Sequence, residues 1–505
     1  MVAVCLSMAV IGINTTAVGV ATRGMASDLD LDAGTMSWIV GAYLLTAASF
    51  SLVGGRLGDV AGRTRTFVAG LVVFALGAVG AALAPSAGWL IAARAVEGLG
   101  AALLLPSSIE LVAAHPPPTG ARTGFRARSI VYASAFGIGP LVGGFLTDHV
   151  TWRAIFWFEL VLLVIAAVLA VPLLGQPSDL PRPETRDIRG AALTAAFVGV
   201  TLGAVYRAPS WGWWSLRMAL AAGASALLAA LLVLVERRTE HPLLHRRVLT
   251  DRIVIGANVA TLSASIGMLG LLYFFNLFAQ SAAVFDTPAL SAAVALVPFT
   301  LSIILFSVVA RRLAGRLGYR GPVLAGLGLA IVGFFWLSTT TPGTDELQLA
   351  IPLTLCGIGA GIANAGLTAP AVLTLPRTRL DEAAGLFSLS RYVGSALAVA
   401  IGTSTYLAVA VASPAGTPAP MPAEDVAMGR SAFQTALETL DEDLRAPFEA
   451  AAREQSAAGF ASTMRVAGFA LLGLTALSVV LLRPGDDTVD EEPTGAPVEP
   501  GSAPP

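Results

Sequence analysis

The chain has 505 residues, of which 55% are hydrophobic and only 13% charged, and its mean hydropathy is +0.75. A soluble domain carries about 25% charged residues, so the composition points to an all-α polytopic membrane protein. The formal net charge of −2 argues against a nucleic-acid partner. All 31 basic residues are Arg, and without Lys a Walker phosphate loop cannot be written.

A spanning helix takes about 20 mostly apolar residues. Fourteen runs qualify: 2–22, 36–55, 67–85, 88–112, 128–147, 153–174, 189–206, 216–235, 253–279, 288–310, 322–340, 348–372, 384–411 and 462–482. The first opens "MVAVCLSMAV", apolar from the start, with no basic leader and no small-residue cleavage site. It is expected to stay as the first membrane helix. Cys5 and Cys356 lie in apolar runs and read as small packed hydrophobes. The four His show no ligand spacing, so no metal site is expected.

Arg orients the spans. One set of loops holds twenty, running through Arg56, Arg63, Arg65, Arg122, Arg126, Arg128, Arg237, Arg311 and Arg377; the opposite short loops hold four, Arg23, Arg153, Arg207 and Arg217. This bias predicts both termini in the cytoplasm, with Trp211, Trp213 and Trp214 at the outer interface. Residues 412–460 read as an outer loop whose second part, "SAFQTALETLDEDLRAPFEAAAREQ", forms a surface helix. The tail, 483–505, is rich in Pro, Asp and Glu and reads as a disordered cytoplasmic segment.

"GRLGD" (55–59) recurs as "GRLGY" (315–319), and at the same offset Tyr132 matches Tyr392. These matches suggest two six-helix halves, 1–174 and 253–482, joined by a linker, 175–252, that carries two extra helices. Duplicated halves around a midplane site are a common transporter plan.

Three motifs carry chemistry. In "GRLGDVAGRTR" (55–65), Gly55 and Gly58 are expected to let the second and third helices turn tightly. Asp59 can face a helix N-terminus or an Arg, and Arg63 and Arg65 can reach carboxylates or lipid phosphate. The plain alternative is an ordinary basic loop. In "RAVEGLGAA" (94–102), Arg94 inside an apolar helix must face a cavity or a partner. Glu97, three residues on, shares its face. The pair reads as a proton relay or substrate contact, or as a self-satisfied ion pair. In "GIGPLVGG" (137–144), Gly139 and Gly143 bare one helix face for close approach. Pro140 removes a hydrogen bond and bends the helix, and Gly137 and Gly144 complete the run. Generic glycine packing is the alternative.

The loop at 55–65 resembles the signature of the major facilitator superfamily, and 137–144 resembles the antiporter signature of its exporters. With "SWIVGAYLL" (37–45), "WRAIFWFE" (152–159) and "SLSRYVGSALAVAIGT" (388–403), nearly the whole chain is similar to the fourteen-helix drug:proton antiporter family. The resemblance implies a major-facilitator fold with two inserted helices and efflux of amphipathic drugs or antibiotics driven by a proton gradient, with no cofactor. Five positions depart from the family. Asn14 stands where the first helix normally carries Asp, and Gly19 and Arg23 stand where that motif has Asn and its closing Pro; Glu97 replaces an amide; Glu159 replaces Asn. If protons couple transport, Glu97 is the first candidate and Glu159 the second. Glu159 paired with Arg153 at the interface is the alternative.

Asn14, Tyr43, Asn276 and Gln280 are candidates to line a substrate cavity. Asn258 and Asn364 are further polar groups, which inter-helix hydrogen bonds would equally explain. "YFFNLF" (273–278) suits a flat, greasy substrate or faces lipid. Arg391 is expected near the cytoplasmic end of the thirteenth helix, snorkelling to the interface. No nucleophile elbow or metal cluster is present, so the chain is read as a non-enzyme. The reading is a monomeric transporter of the cell membrane that exports a small amphipathic molecule, in contact with lipid and protons. An uncoupled facilitated exporter, favoured by Asn14, and a non-transporting sensor or scaffold are the alternatives.

Overall fold

The computed structural model describes residues 1–29, 31, 33–114, 118, 120–174, 188–239, 250–281, 287–318, 320–373, 380–411, 437–438 and 442–482. Its main elements are α1 (Val2–Leu29), α2 (Ala33–Ala61), α3 (Arg63–Ala82), α4 (Ala87–Ala114), α5 (Ala121–His149), α6 (Arg153–Ala170), α7 (Ile188–Trp211) and α8 (Leu216–Arg238). They continue as α9 (Arg252–Ala279), α10 (Ala289–Ala295), α11 (Val297–Leu317), α12 (Arg320–Leu337), α13 (Glu346–Leu373), α14 (Leu380–Val411) and α15 (Glu442–Leu481). No strand occurs among the described residues.

Twelve of these helices are long and apolar enough to cross a membrane. The bent pair α10–α11 makes a thirteenth, and α13 carries the shorter apolar stretch Leu347–Ala363. Every apolar run read from the sequence therefore falls on a helix. The tenth is broken by 49° at Leu296. Pro298, two residues on, has no N–H for the Val294 carbonyl and its ring crowds that carbonyl.

Within the first six helices, α1 packs on α5 and α6, and α4 lies between α2 and α3. In the later set, α13 lies between α11 and α12, and α9 packs on α14 and α15. The two sets meet where α2 touches α14, α5 touches α10 and α11, and α1 touches α9. The inserted α7 docks on α2 and α14; α8 packs on α7 and buries none of its residues. At the α7–α8 turn Trp213 and Trp214 are exposed.

The sequence expectation is corrected at two places. Gly55 and Gly58 do not form the turn after α2; both lie inside that helix. The turn falls at Gly62, whose φ of 97° excludes most side chains. Gly58 instead makes room for Glu110 on α4, which a Cβ there would strike. The second correction concerns 442–460, expected as part of an outer loop with its own surface helix. It is continuous with the last span, so α15 runs for 40 residues. Its first turns are exposed, and it packs inward only from Ala452 on: Phe460 stacks on Phe278 at 4.7 Å, and Ser456 Oγ lies 3.2 Å from Ser281 Oγ.

Candidate functional site

Arg94 and Glu97 occupy one face of α4, as their spacing requires. Their side chains form an ion pair with almost no exposure. Asn14 of α1 and Glu159 of α6 complete the group, and none of the four is more than 1% exposed. Arg94 Nη1 donates to Asn14 Oδ1 at 2.8 Å, and its Nε donates to the Ile39 carbonyl at 3.1 Å. Asn14 Nδ2 donates to Glu159 Oε2 at 2.8 Å and reaches Glu97 Oε2 at 3.4 Å. The amide orientation is dictated by its neighbours. The guanidinium only donates, so it takes the oxygen; the carboxylates need donors, so they take the NH2. Asn14 is thus the hub that joins α1, α4 and α6.

One guanidinium faces two carboxyl groups here. Glu97 is paired with Arg94, whereas the described hydrogen-bond partner of Glu159 is the neutral Asn14 amide. An isolated buried charge is expensive in a membrane protein, so the group is neutral when one carboxyl holds a proton. Tyr43 closes the cluster, with the Arg94 guanidinium 4.6 Å over its ring. Gly77 of α3 admits the group: a Cβ there would lie 2.6 Å from Glu97 Cγ.

Glu159 is not an interfacial partner of Arg153. Arg153 pairs with Asp28 and donates from Nη2 to the Ala84 carbonyl at 3.0 Å, which leaves Glu159 to the buried cluster. Asn276 and Gln280 do not join the cluster either. Asn276 Nδ2 bonds back to the Leu272 carbonyl of its own helix at 2.8 Å. Gln280 Nε2 donates to the Val20 carbonyl at 3.0 Å, and Arg23 donates to the Gln280 carbonyl, so this residue ties α9 to α1. Asn258 Nδ2 bonds back to the Val254 carbonyl, and its Oδ1 accepts from Ser390 Oγ at 2.7 Å. The side chain of Asn364 lies outside the described residues. The "YFFNLF" aromatics are buried rather than lipid-facing. Tyr273 and Phe274 line a narrow crevice with Met36, Thr403 and Tyr406.

The glycine run of α5 serves two partners on two faces. Gly139 and Gly143 face α1: a Cβ at Gly143 would lie 2.7 Å from Ala17 Cα, and one at Gly139 3.1 Å from the Ile13 carbonyl. Gly137 and Gly144 face the other set of helices. There a Cβ would lie 3.2 Å from the Thr300 carbonyl and 2.7 Å from Leu290 Cα, respectively. Pro140 leaves the Phe136 carbonyl without its helical donor, and the structure supplies one from α1. Thr16 Oγ1 donates to Phe136 O at 3.1 Å, the shortest of its three possible bonds. No local pattern in the sequence pairs Thr16 with residue 136, 120 positions away.

Polar contacts close both ends of the bundle. At the Arg23 end, Asp148 accepts from the backbone N–H of Ala289 at 3.2 Å and of Leu290 at 2.8 Å, joining α5 to α10. At the other end, Arg63 is buried and lies 3.8 Å from the Glu110 carboxylate. Arg65 is exposed, and the side chain of Asp59 lies outside the described residues. Arg128, expected in a basic loop, is instead buried within α5.

A bundle of membrane-crossing helices in two mated sets, with a sealed ionisable group in one of them, is the architecture of an alternating-access transporter. Residues 3–399 match the Major Facilitator Superfamily, and the chain belongs to that superfamily. It is similar to a cephamycin export protein of Amycolatopsis lactamdurans, 30% identical over 452 residues, which cover 87% of this chain and 91% of that protein. A multidrug resistance protein of Mycobacterium tuberculosis is 29% identical over 406 residues, covering 79% and 74% of the two chains. A tetracenomycin C resistance and export protein of Streptomyces glaucescens is 26% identical over 401 residues, with 79% and 74% covered. Among solved structures, a peptide transporter in complex with sulfate superposes with a TM-score of 0.60 at 18% identity, covering 96% of this chain and 95% of that one. At that identity the likeness speaks for the fold.

Proposed function

We propose that this chain exports small amphipathic compounds, drugs or antibiotics, across the plasma membrane in exchange for protons. In this reading both termini are cytoplasmic, the protein works as a monomer, and the proton gradient is its only energy source. The relatives named for multidrug resistance and antibiotic export support the substrate class. One observation carries the coupling: two carboxyl groups share one guanidinium in a site sealed from water. The geometry favours Glu159 over Glu97 as the proton carrier, because Glu97 already has Arg94 as its counter-ion. Proton uptake on Glu159 removes the surplus negative charge and favours the closed arrangement; release favours the arrangement in which water reaches the cluster. Each ligand shifts the balance only by its differential affinity for the two states. A proton crossing about 100 mV releases about 2.3 kcal/mol, enough to concentrate a neutral substrate roughly fiftyfold.

Proteoliposomes with an imposed pH gradient test the reading, using carboxyfluorescein and ethidium as probes of either charge. The expected result is gradient-driven movement of at least one dye. Glu159→Gln abolishes the drive and leaves movement down the dye's own gradient. A wild type that moves dye equally well without a pH gradient overturns the coupling. It would favour the uncoupled exporter that Asn14, in place of an acid, also fits.

A further inference from the structure

We propose that Arg128 and Arg391 form the anion-binding end of the transport site, so that the carried molecules are flat aromatic compounds bearing a carboxylate or a similar anionic group. This substrate class rests on the export reading above. Arg128 sits in α5 with 7% exposure. Its hydrogen bonds go to Ser108 Oγ at 2.8 Å and to the Leu105 carbonyl at 3.3 Å. Both acceptors are neutral, and no described carboxylate pairs with it. Two of its N–H groups are thereby satisfied while no acid among the described residues answers its charge, and an unanswered charge inside a bundle is expensive.

Arg391 approaches from the other set of helices. It lies on α14, with its guanidinium 4.8 Å over the ring of Tyr132 on α5. Tyr132 stands one turn beyond Arg128 on α5, so the ring beneath Arg391 shares the helix face of Arg128. Two like charges brought together at low dielectric repel, and an anion placed between them reverses that cost. Such a ligand would touch both sets of helices, which is where a transported molecule must sit.

The surroundings supply the rest of the ligand. Tyr392 is buried beside Tyr43, edge to face at 6.1 Å, and neither hydroxyl has a partner of hydrogen-bonding geometry among the described residues. Tyr132 and Tyr392 offer ring faces and edges to a flat aromatic body, and the two hydroxyls offer donors. Tyr43 leads on to Arg94. Glu97 and Glu159 lie beyond it, around Asn14, so a cationic substrate would find two guanidiniums where an anionic one finds its counter-charge.

The test uses the full chain in nanodiscs and three probes with one ring system: 1-pyrenecarboxylate, 1-pyrenecarboxamide and 1-pyrenemethylammonium. Binding is read by fluorescence anisotropy against empty nanodiscs. The carboxylate is expected to bind at least tenfold more tightly than the amide, and the ammonium most weakly. Arg128→Gln and Arg391→Gln should each bring the carboxylate-to-amide ratio close to one, and Arg128→Lys should retain part of the preference. Where Arg128→Gln does not fold, the partly exposed Arg391 carries the test. Equal binding of carboxylate and amide, no carboxylate binding, a preference for the ammonium, or a ratio unmoved by either Gln variant overturns the proposal. Gradient-driven dye movement is measured on the same preparation. Movement without an anion preference overturns the anion site alone; an anion preference without any driven movement supports the site and overturns the export reading.

Discussion

Helices α1–α6 and α9–α15 follow one plan, and α2 to α5 recur about 260 residues later as α11 to α14. Their interiors differ. The first set buries Arg94, Glu97, Glu159 and Asn14 as one hydrogen-bonded group. In the second set, Asn258 and Asn276 turn their amides back onto their own helix, and Gln280 reaches across to α1. Even the repeated "GRLG" behaves differently. In the first set the helix runs through Gly58 and turns at Gly62; in the second it ends at Leu317 and turns at Gly318, φ 73°. The hydrogen-bonded cluster of acids therefore resides in one set, while the other supplies mating surfaces and Arg391. Identical short motifs do not impose identical backbones when their neighbours differ, and Glu110 is the neighbour that Gly58 accommodates.

The sharpest way to break this comparison is to remove a charge from one set and an amide from the other. Arg94→Leu strands two buried carboxyl groups and should cost about 3–5 kcal/mol, read as a large fall in Tm or loss of monodisperse protein. Asn276→Leu removes a back-bond worth about 0.6 kcal/mol and should barely move Tm. Equal damage from both would mean that the two sets share the load.

Next come the glycines. Gly143→Val and Gly144→Val force side chains into backbone and should each cost about 1–3 kcal/mol. Gly328→Ala on α12, where a Cβ meets nothing within 4 Å, should be neutral or stabilising by up to about 1 kcal/mol. Thermal melting ranks the three.

A smaller effect isolates the bond between Thr16 and the carbonyl that Pro140 frees. Thr16→Val should cost about 1 kcal/mol in the native background and less in a Pro140→Ala background, where the helix supplies its own donor. A double-mutant cycle in Tm without coupling would refute the pairing. Least costly is Asp148→Ala, which loosens the clasp on α10. Its expected signature is kinetic: a cysteine placed at Val20 should react severalfold faster with a water-soluble thiol reagent, with little change in Tm.

Much of this was legible in the sequence, because hydropathy runs, Arg bias and i,i+3 spacing are local. The fourteen helical runs and the Arg94–Glu97 face follow from them. The partners of those residues do not. Asn14 meets Glu159 across 145 positions, and Thr16 meets the Phe136 carbonyl across 120; periodicity says which face a residue occupies but not which helix covers it. Gly62 lies in the same motif as Gly55 and Gly58, and spacing alone does not say which of the three takes the positive φ of the turn. Asp148 gave no signal because its partners are backbone amides, which every residue but proline carries.

The 40-residue α15 has a mechanical consequence. At about 1.5 Å per residue it is roughly 60 Å long, about twice the hydrocarbon thickness. A rod of that length works as a lever. A tilt of about 10° around its middle would swing either tip through roughly 5 Å. Because Phe460 and Ser456 grip α9 and the chain just beyond it partway along the rod, small rotations of the helices beneath are amplified at the protruding end.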